Sequence, residues 1–414
     1  MNLTRRQLLV AGFTTLTGLS TIGLIYNRRL LSRKPSTLVK DPQNVLDLPP
    51  EFTYQILEKT DDLMDDNFVV PGLPDGMACF SGKDNTWILM RNHENHSGKA
   101  VDSSLAYDKD RAGGVSRLVV DRETGMRISS NLVLTGTSRN CGGGYTYQGW
   151  LSCEEIDEPK HGYVFLCDPE ASSLQKPRAL PTLGRFPHEA AAIDPESGII
   201  YLTEDVSASA IYRHVPNDPK NPFSGGTLQA LKIKGEPNAS LSEGRKIGES
   251  HNVEWIAITD PDATTIPTRE QAHSQGAAIL SRGEGAWLQN KSLYISSTDG
   301  GEWGRGQIFH LDISNKKNKL TLIAEANKED TFDHPDNITV SSWGDVFLAE
   351  DSGNGSNGIW VIQPDGNLYQ FAENLLNQGA SEIAGLCFSP DNKWLFLNIQ
   401  KEGLTIAVTG PFAT

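Results

Sequence analysis

Acids recur along this chain at matching places where they could share cations. The recurring unit opens on an acidic or polar residue, continues as an apolar run, a turn and a second apolar run, and ends on another acid. Four copies are plain: 189–205, 284–299, 337–351 and 382–400. Two more can be read at 141–155 and 75–94. In an antiparallel pair the end of the second strand lies beside the start of the first, so both acids of a copy fall on one face. If each pair is the innermost of its unit, Glu94, Cys141, Glu154, Glu155, Glu189, Glu204, Asp205, Glu284, Asp299, Asp336, Asn337, Glu350 and Asp351 ring a common axis. Carboxylates converging in that number repel one another unless multivalent cations sit among them. The residue types narrow the metal. A thiolate such as Cys141 favours a softer transition metal, whereas carboxylates and carbonyls suit calcium, so the set points to mixed metals. Zinc fits less well, because no H-E-x-x-H and no paired C-x-x-C occurs.

The elements that must position these residues are short strands. Starts at 141, 189, 284, 337 and 382 leave one interval, from 189 to 284, about twice the others, which places an insertion at about 217–282. Units of three or four strands at such spacing are β-propeller blades, since one blade cannot bury both faces alone. The expected fold is all-β, a six-bladed propeller over 45–414 with a partly helical insertion. Thr268 and Gln271 read as a capping box opening a helix over 268–280. The segments 51–59 and 403–412 are expected to pair and close the ring, because an open sheet edge is a liability.

Composition agrees. Of 414 residues, 38% are hydrophobic, enough for a real core, and 39 glycines suit many tight turns. The net charge of −15 argues against a partner bound through phosphate neutralisation, so nucleic acid is not expected. Five cysteines are too few for a disulfide framework in a chain this long. Cys79, Cys167 and Cys387 read as packed small hydrophobes, with Cys153 similar but adjoining the site. His93, His214, His310 and His334 read as packing or turn residues.

Residues 1–33 stand apart. Thr4-Arg5-Arg6-Gln7-Leu8-Leu9 resembles a twin-arginine export signal, and the uncharged run from Leu8 to Tyr26 follows it. As a helix that run would extend about 28 Å, close to a bilayer core of roughly 30 Å, so an uncleaved membrane anchor is the alternative. Export by the twin-arginine translocation machinery to the periplasm or beyond is the expectation.

Several motifs resemble the PhoX alkaline phosphatases. They are Asn140-Cys141 with three glycines, the run from Trp150 to Glu155, the run from Gly184 to Glu189, Ser281-Arg282-Gly283-Glu284-Gly285, and the run from Phe396 to Gln400. The resemblance extends from about Leu48 to Phe412, and the chain is short for that family. It implies a small-molecule phosphate ester as substrate and iron and calcium as cofactors. It further implies Cys141, Glu155, Glu189 and Glu284 near iron, and Glu204, Asp205, Asp299, Asp336, Glu350 and Asp351 as calcium ligands. Arg282 would be a phosphate contact, and Arg282, Cys141 and Glu189 the catalytic residues. Two readings from other classes remain open: a calcium-dependent propeller lactonase, which needs no Cys141, and a non-catalytic binding propeller stabilised by metals.

Overall fold

The protein is described from a computed structural model that covers residues 37–412 apart from 315–317, 328–330 and 354. The expected export signal and its apolar run lie outside the described residues. Among those described, no helix is long and apolar enough to cross a membrane.

Each repeat copy forms the two inner strands of a sheet, and these sheets are the blades. Blade 1 comprises Pro74–Ser81, Thr86–His93, Gly113–Asp121 and Arg127–Thr137, and blade 2 comprises Gly144–Thr146, Gly149–Cys153 and Val164–Cys167. Blade 3 holds His188–Ile193, Ile200–Glu204, Tyr212–Pro216 and Gly226–Ile233; blade 4 holds Gly283–Gln289, Ser292–Ser297, Gln307–Asp312 and Lys319–Glu325. Blade 5 runs Pro335–Val340, Val346–Glu350, Gly358–Ile362 and Leu368–Asn374, with Leu46–Asp47 on its outer edge. Blade 6 is Ile383–Phe388, Trp394–Ile399 and Leu404–Thr409, completed by Thr53–Lys59. Successive inner strands touch around a closed ring, and blade 6 returns to blade 1.

Every residue of inner strands such as His188–Ile193 and Ile383–Phe388 is buried, because a neighbouring blade covers each face. Their sequences therefore read as continuous apolar runs and not as alternation. Alternation survives in where the side chains pack. Ala78 joins the core shared with Trp150 and Phe165 of blade 2, whereas Cys79 joins Cys387 and Phe396 of blade 6. The five cysteines are buried and free.

The segment between blades 3 and 4 contains Ser250–Ala257, which pairs with Gly226–Ile233 on one side and Lys319–Glu325 on the other and so fuses both blades into one nine-stranded sheet. The helix there spans Thr268–Ser274, shorter than expected, and the chain turns at Gly276 with φ +88°. The capping box does not form. Thr268 is buried against the Tyr212 hydroxyl, while the Gln271 amide bonds Asp260 in the preceding loop.

The ring closes as expected. Thr53–Lys59 pairs antiparallel with Leu404–Thr409, from Thr53 opposite Thr409 to Lys59 opposite Leu404. A buried charge pair sits on this seam: Arg91 Nη2 of blade 1 lies 2.6 Å from Glu58 Oε2, and both side chains are almost wholly buried. Arg127 Nε and the Ser130 hydroxyl donate to Glu58 Oε1, and Arg91 also donates to Ser116 and Thr405. Burial would raise the Glu58 carboxyl, but Arg91 and these hydrogen bonds outweigh it and hold the group below its ordinary value.

Candidate metal centre at the mouth of the propeller

Inner strands enter the axis at an irregularity. Register shifts fall between Pro74 and Met77, His188 and Ala191, Gly283 and Ala286, and Pro335 and Ile338. Asp75, Glu189, Glu284 and Asp336 each follow the first residue of such a pair. A bulge re-aims side chains out of the pleat, so these acids leave the blade faces and meet. Glycine allows the close approach: a Cβ on Gly76 would lie 1.6 Å from Gly142 O. That contact sets Asp75 and Cys141 side by side.

Three groups have ligand atoms all within 4.8 Å of one another: Asp75, Cys141 and Glu189; Glu94, Cys141 and Glu155; and Glu189, Glu284 and Asp336. Cys141 and Glu189 each belong to two groups, so the three form one connected cluster. Gly142 N–H donates to Glu189 Oε1 at 2.8 Å, and Gln400 Nε2 donates to Asp75, Glu94 and Glu382 at 2.9, 3.0 and 3.2 Å. Glu189 Oε2 and Asp336 Oδ1 are buried with no hydrogen-bond partner among the described residues. Burial, then the charge of Glu94, pushes Asp75 up to about 7. Burial lifts Glu155 to about 8 despite Arg139 beside it. Glu189, Glu284, Asp336 and Glu382 are held well above the usual carboxylate range by burial first and neighbouring carboxylates second, and the Cys141 thiol rises for the same reasons.

A second regularity overhangs this ring. Leu73, Arg139, Arg282 and His334 stand two residues before Asp75, Cys141, Glu284 and Asp336, and have φ of +48°, +48°, +46° and +49°. Non-glycine residues rarely adopt that conformation, which costs on the order of 1 kcal/mol or more and concentrates at functional sites. Here the turn has a use. The carbonyls of Leu73, Arg139 and His334 accept the N–H groups of Glu94, Glu155 and Asp351, fixing the acids that end the second strands. It also presents two guanidiniums and an imidazole to the mouth. Arg282 donates through Nε and Nη2 to Asp205 at 2.9 and 3.1 Å and through Nη2 to Glu284 at 2.6 Å, with Asp299 at 3.7 Å. Arg139 bonds Glu94 at 2.8 Å and lies 2.5 Å from Glu155.

The structure thus gathers Cys141, Glu155, Glu189, Asp205, Glu284, Asp336, Asp299 and Asp351 at one mouth, the last facing Arg282, His334 and Glu94. It turns Glu154, Glu204 and Glu350 away. In each tandem pair the strand period of two sends the first acid into the blade and the second to the axis. Glu154 accepts from His161, Ser138 N–H and Gly162 N–H at 2.8 to 2.9 Å. Glu204 accepts from the Tyr212 hydroxyl and Arg269, and Glu350 from the N–H groups of Asp333 and Gly358. Asn337, the residue after Asp336 in the bulge, lines an apolar cavity below the ring. Sequence reasoning missed Asp75 and Glu382, although both open repeat copies, and it left His334 as a turn residue although its Nε2 lies 3.7 Å from Asp299 at the mouth.

This donor set fits bound cations. A thiol and several carboxylates share a buried space, two carboxylate oxygens have no hydrogen-bond partner among the described residues, and the Arg139 and Arg282 guanidiniums are each already shared between acids. Leaving such oxygens unpaired costs about 1–3 kcal/mol each, and more when charged.

Residues 34–403 match the family model for alkaline phosphatase PhoX. Among solved structures, the chain is similar to Pseudomonas fluorescens PhoX in complex with vanadate, a transition-state analogue, at 18% identity and a TM-score of 0.71, covering 91% of this chain and 97% of that one. A gluconolactonase from Xanthomonas campestris is more distant, at 14% identity and a TM-score of 0.45, covering 92% of this chain and 96% of that one. No curated protein sequence matches significantly. The first of these structures shares the fold, and the family match covers most of the chain. The protein therefore belongs to the alkaline phosphatase PhoX family, as an all-β propeller whose activity is metal-dependent hydrolysis of phosphoric esters.

Proposed function

We propose that the mouth ring holds iron and calcium together and that the protein hydrolyses phosphate monoesters there after export. The observation that carries this reading is Cys141 set within hydrogen-bonding reach of carboxylates, its sulfur 3.7 Å from Glu155 and 4.0 Å from Asp75. Cys141, Asp75, Glu155 and Glu189 would hold iron, and Glu94, Asp205, Glu284, Asp299, Asp336 and Asp351 are the calcium candidates. When bound, adjacent cations supply charge neutralisation and Lewis-acid polarisation of a phosphate ester. The chain's own residues do the rest. Arg282, held through Nε and Nη2 by Asp205 and Glu284, would meet a phosphate oxygen through Nη1. Gly142 N–H orients Glu189, and Gln400 ties Asp75, Glu94 and Glu382 into one arrangement. Glu154, Glu204 and Glu350 brace the strand ends and touch no ester.

On this reading residues 1–33 are a twin-arginine signal or membrane anchor, and 45–414 form a single propeller domain. Replacing Arg5 and Arg6 by lysine should leave a folded precursor in the cytoplasm, and unchanged export would count against that route. The decisive test of the chemistry is elemental analysis of purified protein beside assays with p-nitrophenyl phosphate and a lactone. Iron with several calciums and phosphate hydrolysis are expected. Calcium alone with lactone hydrolysis would replace this reading.

A further inference from the structure

The inner strands carry a second site below the ring. A cavity of about 330 Å³ runs along the axis between the inner strands. One end lies beside the metal centre: Gly142, Ala190, Gly285 and Asn337 line it, and each is the immediate neighbour of Cys141, Glu189, Glu284 or Asp336. Its far end is reached where these strands turn, at Pro195 and Leu288. The metal centre and the cavity therefore share a wall made of the same backbone.

Its chemistry is the reverse of the ring's. Among the described residues that line the cavity none is charged; Tyr145, Tyr147, Trp150 and Trp287 are aromatic, and Asn337 carries the one side-chain amide. Tyr145 and Tyr147 are 48% and 47% exposed, unusual for residues of that size. Both are held in place, Tyr145 by the Phe80 ring at 4.7 Å and Tyr147 by its hydroxyl reaching Pro219 O. Small residues on the inner strands, Ala190, Ala191, Ala192 and Ala286 among them, leave the space open. Apolar clefts and cavities of roughly 300–1,000 Å³ with few polar groups are the usual form of small-molecule sites.

We propose that this cavity is a binding site for a small uncharged aromatic molecule carrying one hydroxyl or carbonyl group, distinct from the phosphate site. The aromatic lining stacks on a flat ligand. The Asn337 amide supplies one polar partner. No lining side chain carries a charge to offset the desolvation of a charged ligand, which disfavours phosphate esters there.

The test uses 1-naphthol as probe and 1-naphthoate as its charged counterpart, with binding read from tryptophan fluorescence, since Trp150 and Trp287 line the cavity, and from equilibrium dialysis. Saturable one-site binding of 1-naphthol is expected, at least about tenfold tighter than 1-naphthoate and indifferent to added inorganic phosphate. Ala286→Leu, which fills the cavity, should weaken binding by about tenfold or more. Should that variant fail to fold, Tyr147→Ser at the exposed rim should weaken it several-fold. Absence of saturable binding, equal binding of 1-naphthoate, competition by phosphate, or affinity unchanged in the folded variants would overturn the proposal. None of these readouts depends on phosphatase activity.

Discussion

Two regions of this propeller bury carboxylates, and they do so in opposite ways. At the seam between blades 6 and 1, Glu58 is buried with Arg91, Arg127 and Ser130 around it, and its proton affinity falls. At the mouth, Glu189 and Asp336 are buried among other acids, each with an oxygen that has no partner among the described residues, and their proton affinities rise. The seam satisfies its charge from within the chain. The mouth leaves its charge for something from outside, and that difference distinguishes a cation site from a structural ion pair. It also explains the family's dependence on metals in terms of this chain's own residues.

The largest effect should come from changing the one sulfur in the ring. Cys141→Ser should lose bound iron and nearly all hydrolysis of p-nitrophenyl phosphate while keeping the fold, checked by metal analysis and circular dichroism. Iron retained with full turnover would show that the thiol is only packing. At the seam the expected cost is in stability. Arg91→Met leaves Glu58 with Arg127 and Ser130 as partners and one oxygen stripped of its guanidinium, and should lower unfolding free energy by about 1–3 kcal/mol in urea titrations. In metal-stripped protein Asp336→Asn should cost nothing or stabilise, because it removes a repelling charge. Should both variants destabilise alike, the contrast between the regions fails.

Arg282→Ala should keep its metals yet hydrolyse p-nitrophenyl phosphate roughly tenfold to a thousandfold more slowly, for contacts worth about 1.4 to 4 kcal/mol in the transition state. A smaller loss belongs to the acids that face away. Glu350→Gln should cost about 1–2 kcal/mol of stability from weakened bonds to Asp333 and Gly358 N–H, with turnover nearly unchanged. The smallest effect is the seam's pH dependence. The Glu58 carboxyl is held below its ordinary value of 4.5, so its contribution is present above about that pH and is lost as pH falls through the lower folded value. The stability gap between wild type and Glu58→Gln should therefore narrow below pH 4.5, and a gap that widens there would contradict the assignment.

The sequence made the blades legible because a buried inner strand followed by a turn and an acid leaves a repeat that needs no alignment. Each inner strand begins within three residues of a repeat copy's start, the widest gap being Cys141 to Gly144 in blade 2, and the closing pair 53–59 with 404–409 follows from the need to hide two edges. The split within each tandem pair was not legible. Spacing alone puts Glu154 and Glu155 at the same strand end, and only the strand register decides that Glu154 meets His161 while Glu155 meets Arg139. His334 was hidden for a different reason. Its place at the mouth depends on a left-handed backbone two residues before Asp336, and an imidazole gives no sequence signal for that conformation. Arg282, in the same conformation, was found through its motif.

The central claim is that cations complete the mouth ring and hold both the fold and the activity. Treating the metal-loaded protein with a chelator while following thermal unfolding and p-nitrophenyl phosphate hydrolysis tests it most directly. The melting temperature and the activity should fall together, and adding iron and calcium back should restore both. An unchanged melting curve with turnover intact in the stripped protein would contradict it.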